Sequence, residues 1–214
     1  MDFAAARKVM VDSQVRVNDV TDRALQAALM AVPRERFVPA EHVFAAYAET
    51  AVGIVDGRKL MPARDIAKLL QAADPRPDEH ALCLAGPYAA AVLARLGLTV
   101  TTQEADAAVF EVAGAALAEA GVATVTAPLT TPQAAPSGEG WDLIVSEMAT
   151  PVRPDAWLAA LRDGGRLAVV ERSGAVGKAV LYVKGQGDAL SRKVLFDSTP
   201  PVLAELAPAP TFAL

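Results

Sequence analysis

Hydrophobic positions along the chain change their spacing twice, and the changes divide it into three parts. Over roughly the first fifty residues the spacing is helical. Ala24, Leu25, Ala28, Leu29 and Val32 fall on one helix face. Val20-Thr21-Asp22 offers a start, with Thr21 as the candidate cap. Pro33 ends the run, because its ring clashes with the preceding turn and it has no N–H to donate. Arg34 to Pro39 reads as an irregular connector, and a second short helix is expected from about Glu41 to Ala48. Arg64 to Ala73 puts Ile66, Leu69, Leu70 and Ala73 on one face before Asp74 to Glu79, with two prolines, interrupts the chain.

Short apolar runs then alternate with Ala-rich helical stretches. Ala81 to Ala85, Leu98 to Thr102, Val122 to Thr126, Trp141 to Ser146 and Arg166 to Val170 read as strands. Tyr88 to Leu96, Ala105 to Ala120 and Asp155 to Leu161 read as the helices between them, and Gly121 is a candidate left-handed cap. Such units require crossover connections and build a parallel sheet covered on both faces. After residue 178 the pattern changes again. Ala179 to Lys184 and Ser191 to Phe196 flank Gly185-Gln186-Gly187-Asp188, which predicts an antiparallel hairpin closing the sheet. The expected organisation is an N-terminal helical extension (1–78), an α/β core (79–198) and an extended tail (199–214) carrying Pro200, Pro201, Pro208 and Pro210.

Composition narrows the class. Hydrophobic residues are 53% of the chain but aromatics only 5%, so the core must be built from many small aliphatic contacts. The net charge of −5 argues against a surface that tracks nucleic-acid phosphates. No apolar run reaches the roughly 18 residues of a membrane span, and Arg7, Lys8 and Asp12 interrupt any signal-like segment, so a cytoplasmic protein is expected. A single cysteine, Cys83, excludes an internal disulfide and a multi-cysteine zinc site. His42 and His80 show no metal-ligand spacing, and no metal is expected.

A mostly parallel sheet finished by an antiparallel hairpin is the arrangement of the class I S-adenosylmethionine-dependent methyltransferases, a Rossmann-like α/β fold. The resemblance sharpens in Met10 to Arg16, in Val32-Pro33-Arg34-Glu35-Arg36-Phe37-Val38-Pro39, in Ala46-Tyr47-Ala48-Glu49 and in Leu161 to Leu167. Taken in order, these segments resemble the protein-L-isoaspartate O-methyltransferase family over most of the chain. The resemblance implies S-adenosylmethionine as cofactor and a protein or peptide substrate whose isoaspartyl carboxylate receives the methyl group. Neither nucleic acid nor membrane is expected as a partner.

The candidate cofactor residues follow the strand order. Glu104, just past the second core strand, is placed to accept hydrogen bonds from ribose hydroxyls. Ala85, Gly86 and Tyr88 belong to the bend after the first core strand. That bend, Cys83-Leu84-Ala85-Gly86-Pro87-Tyr88, departs from the family pattern: cysteine stands where an acid is usual, and Gly86 alone remains of the alternating glycines. On the substrate side the candidates are Arg58, Met61 and Glu147; Met61 lies where the family carries a hydroxyl residue before a proline. These departures keep a second reading open, a non-catalytic or substrate-altered binding module with an eroded cofactor loop.

Overall fold

A computed structural model describes residues 2–187 and 189–207. The chain opens with α1 (Phe3–Met10), whose first turn is held by the Asp2 carboxylate accepting from the Ala5 amide. A wide helical turn over Val11–Val15 and a tight one over Arg16–Asn18 lead to α2 (Arg23–Ala31). The cap of α2 is Asp22, not Thr21: its Oδ1 accepts from both Ala24 and Leu25, and a carboxylate there also suits the positive end of the helix. The helix expected near Glu41 to Ala48 is a shorter 3-10 segment, Ala40–Ala45.

A hairpin follows that the helical reading did not anticipate. Strands β1 (Val52–Val55) and β2 (Arg58–Leu60) pair only with each other, around Gly57 at φ +71°. Helix α3 (Ala63–Ala73) then leads into the core: β3 (His80–Leu84), α4 (Pro87–Arg95), β4 (Thr99–Glu104), α5 (Ala108–Glu119), β5 (Ala123–Thr126), β6 (Trp141–Thr150), α6 (Asp155–Ala159), β7 (Leu161–Glu171), β8 (Gly177–Lys184) and β9 (Leu190–Ser198). The sheet order is β5-β4-β3-β6-β7-β8-β9. The first five strands are parallel, and β8 and β9 complete an antiparallel meander, as the change of pattern after residue 178 predicts.

Successive strand residues divide between two apolar layers, the two-residue period of a sheet buried on both faces. Ala81, Cys83, Val100, Leu143, Val145, Ala168 and Val170 join the helices α1 to α5 on one face. Leu82, Leu84, Ile144, Leu167 and Val169 face the other layer, with Trp141, Trp157, Leu129 and Leu203. That second layer has only the short α6 as a helix. Much of its cover is the irregular segment between β5 and β6, fixed where Trp157 Nε1 donates to Leu129 O (2.7 Å) and Trp141 Nε1 to Gln133 O (2.8 Å).

Residues 201–203 lie parallel to β6, in a single bridge between Val202 and Ala149. Ala149 N donates to Pro201 O and Leu203 N to Ala149 O, each at 2.8 Å, and Leu203 is buried. Pro208 and Pro210 lie outside the described residues.

Arg34 ties the N-terminal segment to the core. It is wholly buried, donates from Nε to Ala46 O (2.8 Å) and from a terminal nitrogen to Met61 O, and its guanidinium lies 4.7 Å from the centre of the Tyr88 ring. Phe37 meets the same ring edge-on at 5.5 Å. A buried charge is tolerated only where acceptors surround it. Truncation of Arg34 to Ala would leave two buried carbonyls unpaired. Arg34→Ala is expected to destabilise the fold by about 3 kcal/mol, read as a lower urea midpoint with an unchanged slope.

Candidate active site

The carboxyl ends of β3, β4 and β6 meet where the strand order reverses, the usual place for a ligand crevice in an open α/β sheet. β4 ends on Glu104, which is fully buried. Its Oε2 accepts from Arg58 Nε (3.0 Å) and from the Ala105 amide (3.2 Å), while Oε1 has no partner. Burial pushes the Glu104 carboxyl above its ordinary range, and the Arg58 ion pair offsets only part of that. Arg58 comes from the hairpin and is itself mostly buried; a terminal nitrogen reaches Glu205 in the turn Ala204–Leu206. Arg58, a substrate-side candidate by sequence, is thus paired with the acid at the end of β4, and Glu205, which no sequence pattern marks, is its outer partner.

Beside this ion pair is a cavity of about 330 Å³ lined by Ala105, Thr126 to Thr130 and Glu205. Gln103, buried behind it, holds the segment that follows β5. Its side chain donates to Pro128 O (2.8 Å) and Thr131 O (3.0 Å) and accepts from the Gln133 amide (2.7 Å). Nothing in the sequence singled out Gln103, since a lone amide in a strand carries no positional signal.

The bend after β3 is tight. Ala85 is left-handed at φ +49°, a conformation that costs an L-residue about 1 kcal/mol, and Gly86 follows as the residue before α4. Pro87 occupies the first helical position, where the missing N–H costs nothing. The amino end of α4 faces a carboxylate from the protein itself. Glu147, fully buried on β6, accepts from Ala89 N (2.8 Å) and more distantly from Met61 N (3.4 Å). A Cβ added at Gly86 would sit 3.5 Å from the Glu147 side chain, so the space above the bend is already lined by that acid.

The other candidates take structural positions. Met61 is buried, and its backbone links Arg34 to Glu147. Tyr88 is buried against Arg34 and Phe37, and its hydroxyl has no partner. Cys83 is buried in β3, and burial raises its thiol pKa well above the ordinary value. His42 bonds to Gly53 O, and among the described residues no group of acids, histidines and cysteine could hold a metal ion. Likewise, no helix among them is long and apolar enough to cross a membrane.

The sheet, its terminal meander and an acid at the end of the second core strand define the S-adenosylmethionine-dependent methyltransferase class of fold. Solved structures agree. One protein-L-isoaspartate O-methyltransferase superposes with a TM-score of 0.74 at 18% identity, covering 92% of this chain and 66% of its own. A candidate enzyme of that type from Plasmodium falciparum, solved with S-adenosyl-L-homocysteine, gives 0.76 at 13% identity, covering 93% of this chain and 98% of its own. In sequence, the protein-L-isoaspartate O-methyltransferase of Methylorubrum extorquens is 35% identical over 171 residues, 78% of this chain and 75% of that protein. That of a Roseiflexus species is 32% identical over 200 residues, 92% and 91% of the two chains. The pattern of the protein-L-isoaspartate(D-aspartate) O-methyltransferase family (PCMT) matches residues 6–197, and the chain belongs to that family.

The Glu147 carboxyl also lies above its ordinary value of 4.5, because burial outweighs Arg34 and the amides of Ala89, Met61 and Tyr88. A raised carboxyl stabilises the fold below the unfolded pKa, and that contribution is lost as pH rises through the folded one. Glu147→Gln is therefore expected to lose less stability than wild type from pH 4.5 upward. Urea midpoints of the two proteins across that range check the sign.

Proposed function

We propose that this protein transfers a methyl group from S-adenosylmethionine to the free α-carboxylate of an isoaspartyl residue in a protein or peptide. The single observation that carries the reading is Glu104. It stands at the end of the second core strand with one carboxylate oxygen buried and unpaired, which is the acceptor a ribose hydroxyl requires. The neighbouring cavity, about 330 Å³ and mostly apolar in its lining residues, suits a planar ring. Family membership supports the same cofactor, and the similar Plasmodium falciparum structure was solved with S-adenosyl-L-homocysteine.

The residues present fit the nucleoside half of that cofactor. Glu104 would hold the ribose, Ala105 and the segment from Thr126 to Thr130 would flank the ring, and the Ala85-Gly86 bend would let backbone approach closely. The bound cofactor supplies an activated methyl group. The chain's own part is orientation of donor and acceptor and exclusion of water, so it needs no nucleophile. Glu147 and Met61 remain substrate-side candidates through their backbone and packing positions; Arg58 enters through Glu104. A second reading, a module that binds but does not transfer, is favoured by the closure of the crevice over Glu104.

Titration with S-adenosyl-L-homocysteine and radiolabelled methyl transfer to an isoaspartyl peptide separate the two. Transfer by wild type is expected, with ligand affinity falling about tenfold or more in Glu104→Ala, the loss of a charge-assisted hydrogen bond. Binding without transfer would favour the module, and absence of both would remove the proposed activity.

A further inference from the structure

The nucleoside site is built and sealed by the same residues. Glu104 is inaccessible, yet its Oε1 has no hydrogen-bond partner. An unpaired buried carboxylate oxygen is unfavourable, so the closed arrangement leaves an interaction unmade that an incoming donor could complete. What covers the acid is Arg58, 3.0 Å from Oε2, and Arg58 is backed in turn by Glu205. The three charges come from three distant parts of the chain: the hairpin, the end of β4 and the terminal segment.

Neither covering piece is a ladder strand of the main sheet, and each is held chiefly by buried side chains, Val52, Ile54 and Leu60 in one and Leu203 in the other. The β1–β2 hairpin shares no ladder with the main sheet. The terminal segment is attached by two backbone bonds around Ala149, by Arg172 donating to Thr199 O and Pro200 O, and by buried Leu203, beyond which Glu205 is partly exposed. Glu205 also lines the neighbouring cavity, so displacement of the Arg58–Glu205 contact would join that cavity to Glu104.

We propose that Arg58 and Glu205 form a latch over the nucleoside site: Arg58 competes with the ligand's ribose hydroxyls for Glu104, and binding requires the hairpin and terminal segment to part. Arg58 is then the residue that sets ligand affinity, although it is not a catalytic residue. The inference rests on the cofactor reading above. A ligand that binds only the open form has an affinity reduced by the fraction of molecules that are open, and removal of the latch restores it.

The test is calorimetric titration of S-adenosyl-L-homocysteine into wild type, Arg58→Ala and Glu205→Gln, with hydrogen exchange followed in residues 52–60 and 199–206. Arg58→Ala should bind about tenfold more tightly than wild type, and Glu205→Gln should bind more tightly by a smaller factor. In wild type, saturating ligand should speed exchange in both covering segments, the reverse of ordinary protection on binding. Equal affinities in all three proteins, with no faster exchange, would overturn the latch and leave the cofactor reading intact. No binding by any of them at millimolar ligand would overturn both. Should Arg58→Ala fail to fold, Glu205→Gln decides the matter: affinity equal to wild type removes the latch.

Discussion

Glu147 has no access to water, and the chain around it is arranged to supply the donors that a buried carboxylate needs. The amide of Ala89 opens α4 onto it, and the amide of Met61 brings the segment before α3 against β6. Arg34, also buried, binds the carbonyl of the same Met61. An acid and a base are thus joined through the backbone of one residue, Met61. Loss of either would strand the other in a low-dielectric interior, where isolated charge is most unfavourable. This couples the N-terminal segment to the strand ends and makes the upper edge of the sheet a rigid frame.

That frame fixes what the crevice can accept. The amino end of a helix after the first strand commonly faces a ligand anion. Here the protein's own Glu147 takes that position. The bend can therefore offer closeness of backbone at Ala85 and Gly86 but little free donor capacity. In the proposed reading, recognition rests on the next strand, where Glu104 keeps an unpaired acceptor and Gln103 holds the segment from Pro128 to Gln133 in place. Glycines lost from the bend and a preserved acid at β4 are two sides of one rearrangement.

Much of this architecture was legible in the sequence because it depends on local period. Apolar runs marked every core strand, and the shift after residue 178 marked the terminal meander. The hairpin was missed although Asp56-Gly57 is a strong turn signal. Its strands are only four and three residues long, too short for an alternating pattern to declare itself. The position of Glu104 was legible because the second core strand ends on it. The partners of Glu104, Glu147 and Arg34 were not, because each contact joins segments whose closeness only the folded sheet creates: Arg58 with Glu205, Met61 with Glu147, Arg34 with Met61. Hydrophobic period carries no record of which polar groups will share a buried site.

The covering charges differ in a way that gives opening a direction. Around Arg58, the inner partner has a side chain only 1% exposed and the outer one 30%. Solvent and salt weaken the outer contact far more than the inner. Glu205 therefore releases first, exposing Arg58 to water while it still holds Glu104. Hydration of the guanidinium then lowers the penalty for its departure, and a hydroxyl donor can follow it onto the acid. In the proposed latch, closed and open forms are separated by exchange of one set of polar partners for another around Glu104.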